Sequence, residues 1–398
     1  MSESIAPLQL TTAPVTTASN DAQLSFLSDE LPLEEDPRYL SEQLITYIGN
    51  KRSLLREIGE QVAKVKQRLG KKRLRVWDVF AGSGVVSRYL KAHAECVVSS
   101  DIEDFAAVIG RCYLRNRNAV DPEKLCEITH DLNRRVEENH LGPGFIEELY
   151  APRDEGHITV EDRVFYTVQN ARRLDNYRRL LEEVSNEHRA MLFGPLLSEA
   201  SVHANTAGIF KGFYKDRQTG IGQYGGSNSD ALTRIRGCIM LTPPVLSRFE
   251  CETEVYQEDA NQLVQRLSDL DLAYLDPPYN QHPYGSNYFM LNLLLNYKRP
   301  SAISKVSGIP VDWQRSEYNR RSACARQLRQ LVHDMDARFI LVSFNNEGFI
   351  APAEMETILR EVGQVETVRI HYNAFRACRN FNGRSIHVTE QLFLVERK

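Results

Sequence analysis

Tyr274-Leu275-Asp276-Pro277-Pro278-Tyr279-Asn280 holds the residues best suited to chemistry in this 398-residue chain. An apolar run, Leu272 to Leu275, stops at a carboxylate, a proline pair and an aromatic ring. Proline removes a backbone donor and fixes φ, so neither helix nor central strand continues through the pair. The residue before each proline is pushed to extended backbone. The expected product is a rigid arm at the end of a buried strand. It would offer Asp276, the carbonyls of Asp276 and Pro277, and the Tyr279 ring to one small volume. Such a set can hold an exocyclic amino group, with Asp276 and a carbonyl accepting its N–H bonds and Tyr279 stacking on the heterocycle. In isolation the same residues would also serve as a tight turn closing a strand.

A second constellation lies far upstream. Leu74 to Phe80 reads as a strand, Ala81-Gly82-Ser83-Gly84 as a glycine turn, and Val85 to Leu90 as a helix. Glycine takes positive φ and lets backbone approach a ligand closely. The next short strand, Cys96 to Ser100, ends at Asp101, an acid placed to bind ribose hydroxyls. No third glycine follows Gly84, since Ser87 stands there, so the dinucleotide fingerprint is incomplete. The pattern suits a nucleoside without phosphates, such as S-adenosylmethionine. Before it, Tyr47-Ile48-Gly49-Asn50-Lys51-Arg52 opens a helix whose apolar residues run Leu54, Leu55, Ile58, Val62, Val65 and Leu69. Unpaired N–H groups at such a start favour anions.

Elements must bring these residues together. In an open, mostly parallel α/β sheet, ligands bind beyond the carboxyl ends of strands where strand order reverses. The glycine turn and the Asp276 arm both follow the carboxyl end of an apolar strand. If those strands flank the switch point, both face one crevice, and the chain between them is an excursion that returns. Within that excursion, Phe210-Lys211-Gly212-Phe213-Tyr214-Lys215-Asp216-Arg217 precedes a glycine-rich loop and then Arg234 and Arg236. Cations among aromatics and glycines suit phosphate contacts and base stacking. Arg376, Arg379 and Arg384 sit in a loop between two late strands, Val365–Tyr372 and His387–Val395, and offer a further phosphate clamp. Each of these stretches can also be read as solvated surface. Glu258-Asp259-Ala260 starts a helix expected to run through Leu263, Leu267 and Leu270. Phe339–Phe344 reads as another strand.

The bulk numbers set limits. Net charge is −4, so any nucleic-acid surface must be local. The seven cysteines are scattered without C-x-x-C spacing, which indicates neither a zinc site nor a disulfide framework. No metal site is expected. No apolar run approaches the ~20 residues of a membrane helix, and no signal-peptide pattern opens the chain, so a cytoplasmic location away from membranes is expected. Residues 1–36, rich in Ser, Thr, Ala and Pro and then acidic, read as a disordered tail.

Asp78-Val79-Phe80-Ala81-Gly82-Ser83-Gly84, a long insert and Asp276-Pro277-Pro278-Tyr279 together resemble the alpha group of adenine-specific DNA methyltransferases, the Dam-like and restriction-modification adenine methylases. Tyr47 to Arg52 is similar to their N-terminal cofactor motif. Ser343-Phe344-Asn345-Asn346-Glu347-Gly348, and Tyr372 through Arg384, are similar to later motifs. The resemblance spans roughly residues 40–398. It implies a Rossmann-like methyltransferase fold, α/β, with a mixed seven-stranded sheet, a reversed hairpin at one edge and helices on both faces. The catalytic domain would comprise residues 37–120 and 251–398, with 121–250 as an inserted helical and target-recognition region.

It also implies S-adenosylmethionine as methyl donor, held by Tyr47, Gly49, Asn50, Lys51, Asp78, Phe80, Gly82, Gly84, Asp101, Asp259 and Asp276. The acceptor would be adenine, flipped out of double-stranded DNA, with Asp276, Pro277, Pro278 and Tyr279 catalytic. Lys211, Lys215, Arg217, Arg234, Arg236, Arg376, Arg379 and Arg384 are the expected DNA contacts. A separate cognate endonuclease and a monomer or weak dimer complete the picture. Alternative readings are methyl transfer to RNA or to cytosine amino groups, and a non-catalytic DNA-binding regulator.

Overall fold

The computed structural model describes residues 35–398 apart from 139–140, 227–228, 230, 279–280, 282, 346–347 and 374–386. Seven strands form one sheet in the order β3-β2-β1-β4-β5-β7-β6: β1 (Leu74–Asp78), β2 (Ala94–Asp101), β3 (Glu252–Gln257), β4 (Leu270–Leu275), β5 (Ala337–Asn345), β6 (Gly363–Asn373) and β7 (His387–Arg397). β1 to β5 are parallel, whereas β7 runs antiparallel to both β5 and β6, giving the reversed edge hairpin.

The helices that matter for the site are α1 (Leu55–Leu69), α2 (Val85–Leu90), α3 (Asp104–Tyr113), α4 (Pro122–Glu138), α5 (Val168–Leu180), α6 (Asn186–Val202), α7 (Phe289–Asn296), α8 (Cys324–Asp334) and α9 (Pro352–Arg360). No helix of the described residues is long and apolar enough to cross a membrane.

Period-2 alternation divides the sheet between two cores. Val76, Leu272, Leu341 and Leu392 point to one face, where the α1 stripe Leu55, Ile58, Val62 and Val65 covers them. Their neighbours Trp77, Ala273, Ile340 and Phe393 point to the other, against Leu328 and Leu331 of α8 and Ile358 of α9. Every residue of β4 is buried, as expected for a central strand covered on both sides. α1 ends at Gly70, whose φ of 64° places it in the left-handed region and whose N–H caps Gln67.

The excursion between β2 and β3 packs inward. Leu132 of α4, Leu174 and Tyr177 of α5, and Leu192 and Leu196 of α6 share one apolar cluster with Phe105 and Ile109 of α3 and Phe289 and Leu291 of α7. Gly194 of α6 lies so close to α3 that a Cβ there would sit 2.7 Å from Cys112 Sγ.

Two expectations need correction. The helix opened by Asp259 ends at Leu263, because Leu270 is already the first residue of β4. The tail stops short of residue 36. Glu35 is buried and accepts from the Arg248 backbone N–H at 2.8 Å, and Asp36 caps the helical turn Pro37–Ser41. Residues 1–34 lie outside the described residues.

Candidate active site

β1 and β4 are neighbours, paired Asp78 to Tyr274, and the sheet order reverses between them. The glycine turn and the Asp276 arm therefore leave adjacent strand ends. The Val79 N–H donates to the Tyr274 carbonyl at 3.0 Å, tying the two tips together. A cleft opens there, lined by Tyr47, Gly49, Asn50, Lys51, Asp78, Phe80, Gly82, Asp101, Asp259, Asp276 and Pro278 among others. Those residues come from five separate stretches of chain. Gly84 and Pro277 are not among its lining residues, and Tyr279 falls outside the described residues.

On the β1 side the backbone does most of the shaping. Gly82 has φ 51°, and a Cβ on it would stand 2.7 Å from the Tyr47 hydroxyl oxygen. Only glycine fits both constraints. Gly84, at φ 72°, starts α2. Trp77 Nε1 donates to Ser100 Oγ and Ser100 Oγ to the Val79 carbonyl, each at 2.8 Å, bolting β1 to β2 beneath the turn. Asp101 receives the Gly82 N–H at 2.8 Å on one oxygen and the Glu103 N–H at 2.9 Å on the other. Its carboxylate thus organises the loop, and the next acid, Glu103, enters the cleft wall as well. Glu103 is held by Asn292 Nδ2 at 2.7 Å, and burial pushes its carboxyl up to about 8.

Asp78 is buried at the base. Its Oδ2 accepts from Ser87 Oγ at 2.5 Å, whereas Oδ1 has no hydrogen-bond partner among the described residues. Burial, aided by the charges of Asp276 and Asp101 and opposed by Ser87, pushes it up to about 7.

Sequence reasoning did not reach the opposite end of the cleft. Phe80 meets the Tyr318 ring edge-on at 5.1 Å, and Tyr318 donates to Asn261 Oδ1 at 2.9 Å. Ser316, Tyr318 and Asn319 come from a segment without a recognisable motif. Tyr284 stacks on Tyr47 with centroids 4.9 Å apart and rings 7° from parallel.

On the β4 side, charge dominates. Lys51 Nζ lies 3.2 Å from Asp276 Oδ1 and 2.9 Å from Glu390 Oε1 on β7. Its expected role at a helix start gives way to a bridge between two carboxylates. The Asp276 side chain keeps 19% of its surface exposed, enough to meet a ligand. Burial pushes it up to about 7, Lys51 opposes the shift and Glu390 adds to it.

Among the described residues the cleft wall carries six carboxyl groups (Asp78, Asp101, Glu103, Glu258, Asp259 and Asp276) against one cation, Lys51. With Asp78 and Asp276 pushed up to about 7 and Glu103 to about 8, the wall is only partly charged near neutral pH, but it offers amino groups many acceptors and a phosphate little attraction.

The expected DNA contacts divide. Lys211, Arg217 and Arg236 are exposed, and Lys215 sits over the Phe213 ring at 4.8 Å. Their loop is anchored beside the cleft, where the Phe210 N–H donates to the Asn287 carbonyl at 2.7 Å and the Thr46 N–H to Ser201 Oγ at 3.0 Å. Arg234 instead turns inward onto the carbonyls of Val202, Ala204 and Thr206. Arg376, Arg379 and Arg384 lie outside the described residues. Cys96, Glu252 and Glu254 place possible metal-ligating atoms together at the sheet edge, but the Arg75 guanidinium already contacts Glu254 at 3.1 Å.

A mixed seven-stranded sheet with a reversed hairpin, and a carboxyl-lined cleft at its switch point, define a methyltransferase of the Rossmann-like kind. The chain belongs to the D12 class N6 adenine-specific DNA methyltransferase family, whose sequence profile matches residues 47–357. Type II methyltransferase M.NlaIII of Neisseria lactamica is 27% identical over 361 residues, covering 89% of this chain and 99% of that protein. Type II methyltransferase M.CviAII of Paramecium bursaria Chlorella virus 1 is 29% identical over 357 residues, covering 88% and 98%. Modification methylase StsI of Streptococcus sanguinis is 27% identical over 371 residues, covering 88% of this chain but 52% of that protein.

Proposed function

We propose that the chain transfers a methyl group from S-adenosylmethionine to N6 of an adenine swung out of duplex DNA, as the methylase of a type II restriction-modification system. The observation that carries this reading is the placement of Asp276 and the glycine turn on opposite walls of one cleft. The relatives' names support the restriction-modification role, which brings with it a separate cognate endonuclease, a monomer or weak dimer, and a cytoplasmic location.

The cleft residues fit the donor. The carboxyl-lined wall matches a ligand that carries amino groups and no phosphates, and Asp78 Oδ1, buried and without a hydrogen-bond partner among the described residues, can take one more bond. Gly82 and Tyr47 would hold its amino-acid end, Asp101 and Glu103 its ribose, and Phe80, Tyr318 and Asp259 its base. When bound, it supplies a methyl group on a cationic sulfur, which departs with the bonding pair. Asp276 does the chain's part of the chemistry. The adenine amino lone pair is delocalised into the ring, and a carboxylate accepting an N–H favours the pyramidal, nucleophilic form. Fixing that geometry supplies much of the acceleration. With its pKa near 7, Asp276 can also take the proton released after transfer. Residues 121–250, with Lys211, Lys215, Arg217 and Arg236 outermost, would lie against the duplex.

The test is transfer of labelled methyl to unmethylated DNA, with the modified bases resolved by mass. N6-methyladenine at a defined sequence is expected. Label appearing in RNA or in cytosine instead would overturn the acceptor assignment.

A further inference from the structure

Behind the β4 side of the cleft lies a carboxylate that the transfer scheme above leaves without a role. Glu390 is fully buried. Because β7 runs antiparallel to β5, its beginning lies level with the end of β5, where Glu390 pairs with Asn345. That register brings Glu390 up behind Lys51, which lines the cleft. Its Oε1 receives Ser343 Oγ at 2.7 Å and Lys51 Nζ at 2.9 Å. The same Nζ reaches Asp276 Oδ1 at 3.2 Å.

A buried charge in mid-strand is costly, and an apolar residue of similar size would usually be at least as stable. Stability therefore gives no reason for a glutamate here, and the geometry does. Alone with Asp276, the Lys51 ammonium would settle wholly on the carboxyl that has to accept an amino group. A second carboxylate on the far side of Nζ divides its hydrogen bonds.

We propose that Glu390 is a positioning residue for methyl transfer, holding Lys51 between two carboxylates so that the ammonium orients Asp276 without neutralising it. The inference rests on the function proposed above. Among the described residues, the charged and titratable groups facing Asp276 are Lys51 from the Tyr47–Arg52 turn, Glu390 from β7, Asp78 from β1 and Tyr274 from β4. Among them, Glu390 raises the proton affinity of Asp276 and Lys51 lowers it. Removing the Glu390 charge should therefore move the acid limb of the rate profile to lower pH.

The experiment is single-turnover methyl transfer to unmethylated duplex DNA across a pH series, comparing wild type, Glu390→Gln and Glu390→Asp. For Glu390→Gln we expect kcat to fall about tenfold, the scale of one charge-assisted hydrogen bond, with KM for donor and DNA changed less than about twofold and the acid limb displaced downward. Glu390→Asp should recover part of the rate. A folded Glu390→Gln protein with wild-type kcat and an unmoved limb overturns the proposal, as does a loss confined to donor KM. Should Glu390→Gln fail to fold, Ser343→Ala decides. A smaller shift in the same direction supports the proposal, and an unchanged profile overturns it. If wild type itself methylates no adenine, the proposed function fails first and this inference falls with it.

Discussion

The β1 wall of the cleft is held by bonds that close locally, as between Gly82 and Asp101, 19 residues apart. The β4 wall is held by Lys51, which reaches Asp276 from near the start of the chain and is itself held by Glu390 from near its end. The first wall is a backbone mould whose side chains mostly serve the mould itself. The second is an electrostatic arrangement in which strands and turns bring charges to one carboxyl. The division suggests that one wall governs donor affinity and the other governs rate, so variants of the two should separate kinetically.

The largest effect belongs to the charged wall. Asp276→Ala should lower the transfer rate roughly 10²–10³-fold, the scale of deleting one preorganised hydrogen-bonding group. Donor affinity, measured by calorimetry, should change little. A comparable loss of donor affinity would erase the contrast between the walls.

Gly82→Ala is the converse. A left-handed backbone alone costs a non-glycine residue ~1–2 kcal/mol, and the Tyr47 contact adds to that. Donor affinity should weaken by about ten- to hundredfold, with the rate at saturating donor largely kept.

What could be read from the sequence follows the same division. The glycine turn and the proline pair are short and locally determined, so their residue types announced strand ends and a reversal point. Short apolar runs announced the central strands β4 and β5. Asp101 shows where local reading stops. Its type and offset suit a ribose, and what they do not announce is that each of its oxygens also accepts an N–H of its own loop. Glu103, two residues on, carried no separate signal. The pairing of Lys51 with Glu390 depends on the β7 register, and Tyr318 reaches Phe80 from a segment without periodicity. Arg234 resembled its neighbour Arg236 in sequence, yet the turn of helix Leu232–Arg236 sends one inward and the other out.

That last pair gives a smaller prediction. Arg236→Ala should reduce the slope of log affinity against log salt by ~1 if the side chain meets a phosphate. Arg234→Ala should leave the slope alone and lower the melting temperature, because it strands three carbonyls. Equal slopes for wild type and Arg236→Ala would remove Arg236 from the interface.

The smallest effect concerns Asp78. Its folded pKa of about 7 lies above the ordinary 3.8. Folding therefore takes up a proton between these values, and the stability this group contributes is present at acid pH and lost as pH rises through 7. Asp78→Asn should flatten that part of the profile. Melting temperatures from about pH 4 to about pH 7 should fall less for the variant than for wild type. A parallel fall in both would mean that Asp78 is ionised throughout.

The most direct test of the two-wall account is a structure of the protein with a donor analogue that lacks a transferable methyl and a duplex containing the target adenine. The account predicts the analogue against Gly82 and Phe80, with the adenine N6 within hydrogen-bonding distance of the Asp276 carboxylate. A base seated away from Asp276, or an analogue outside the cleft between β1 and β4, would contradict it.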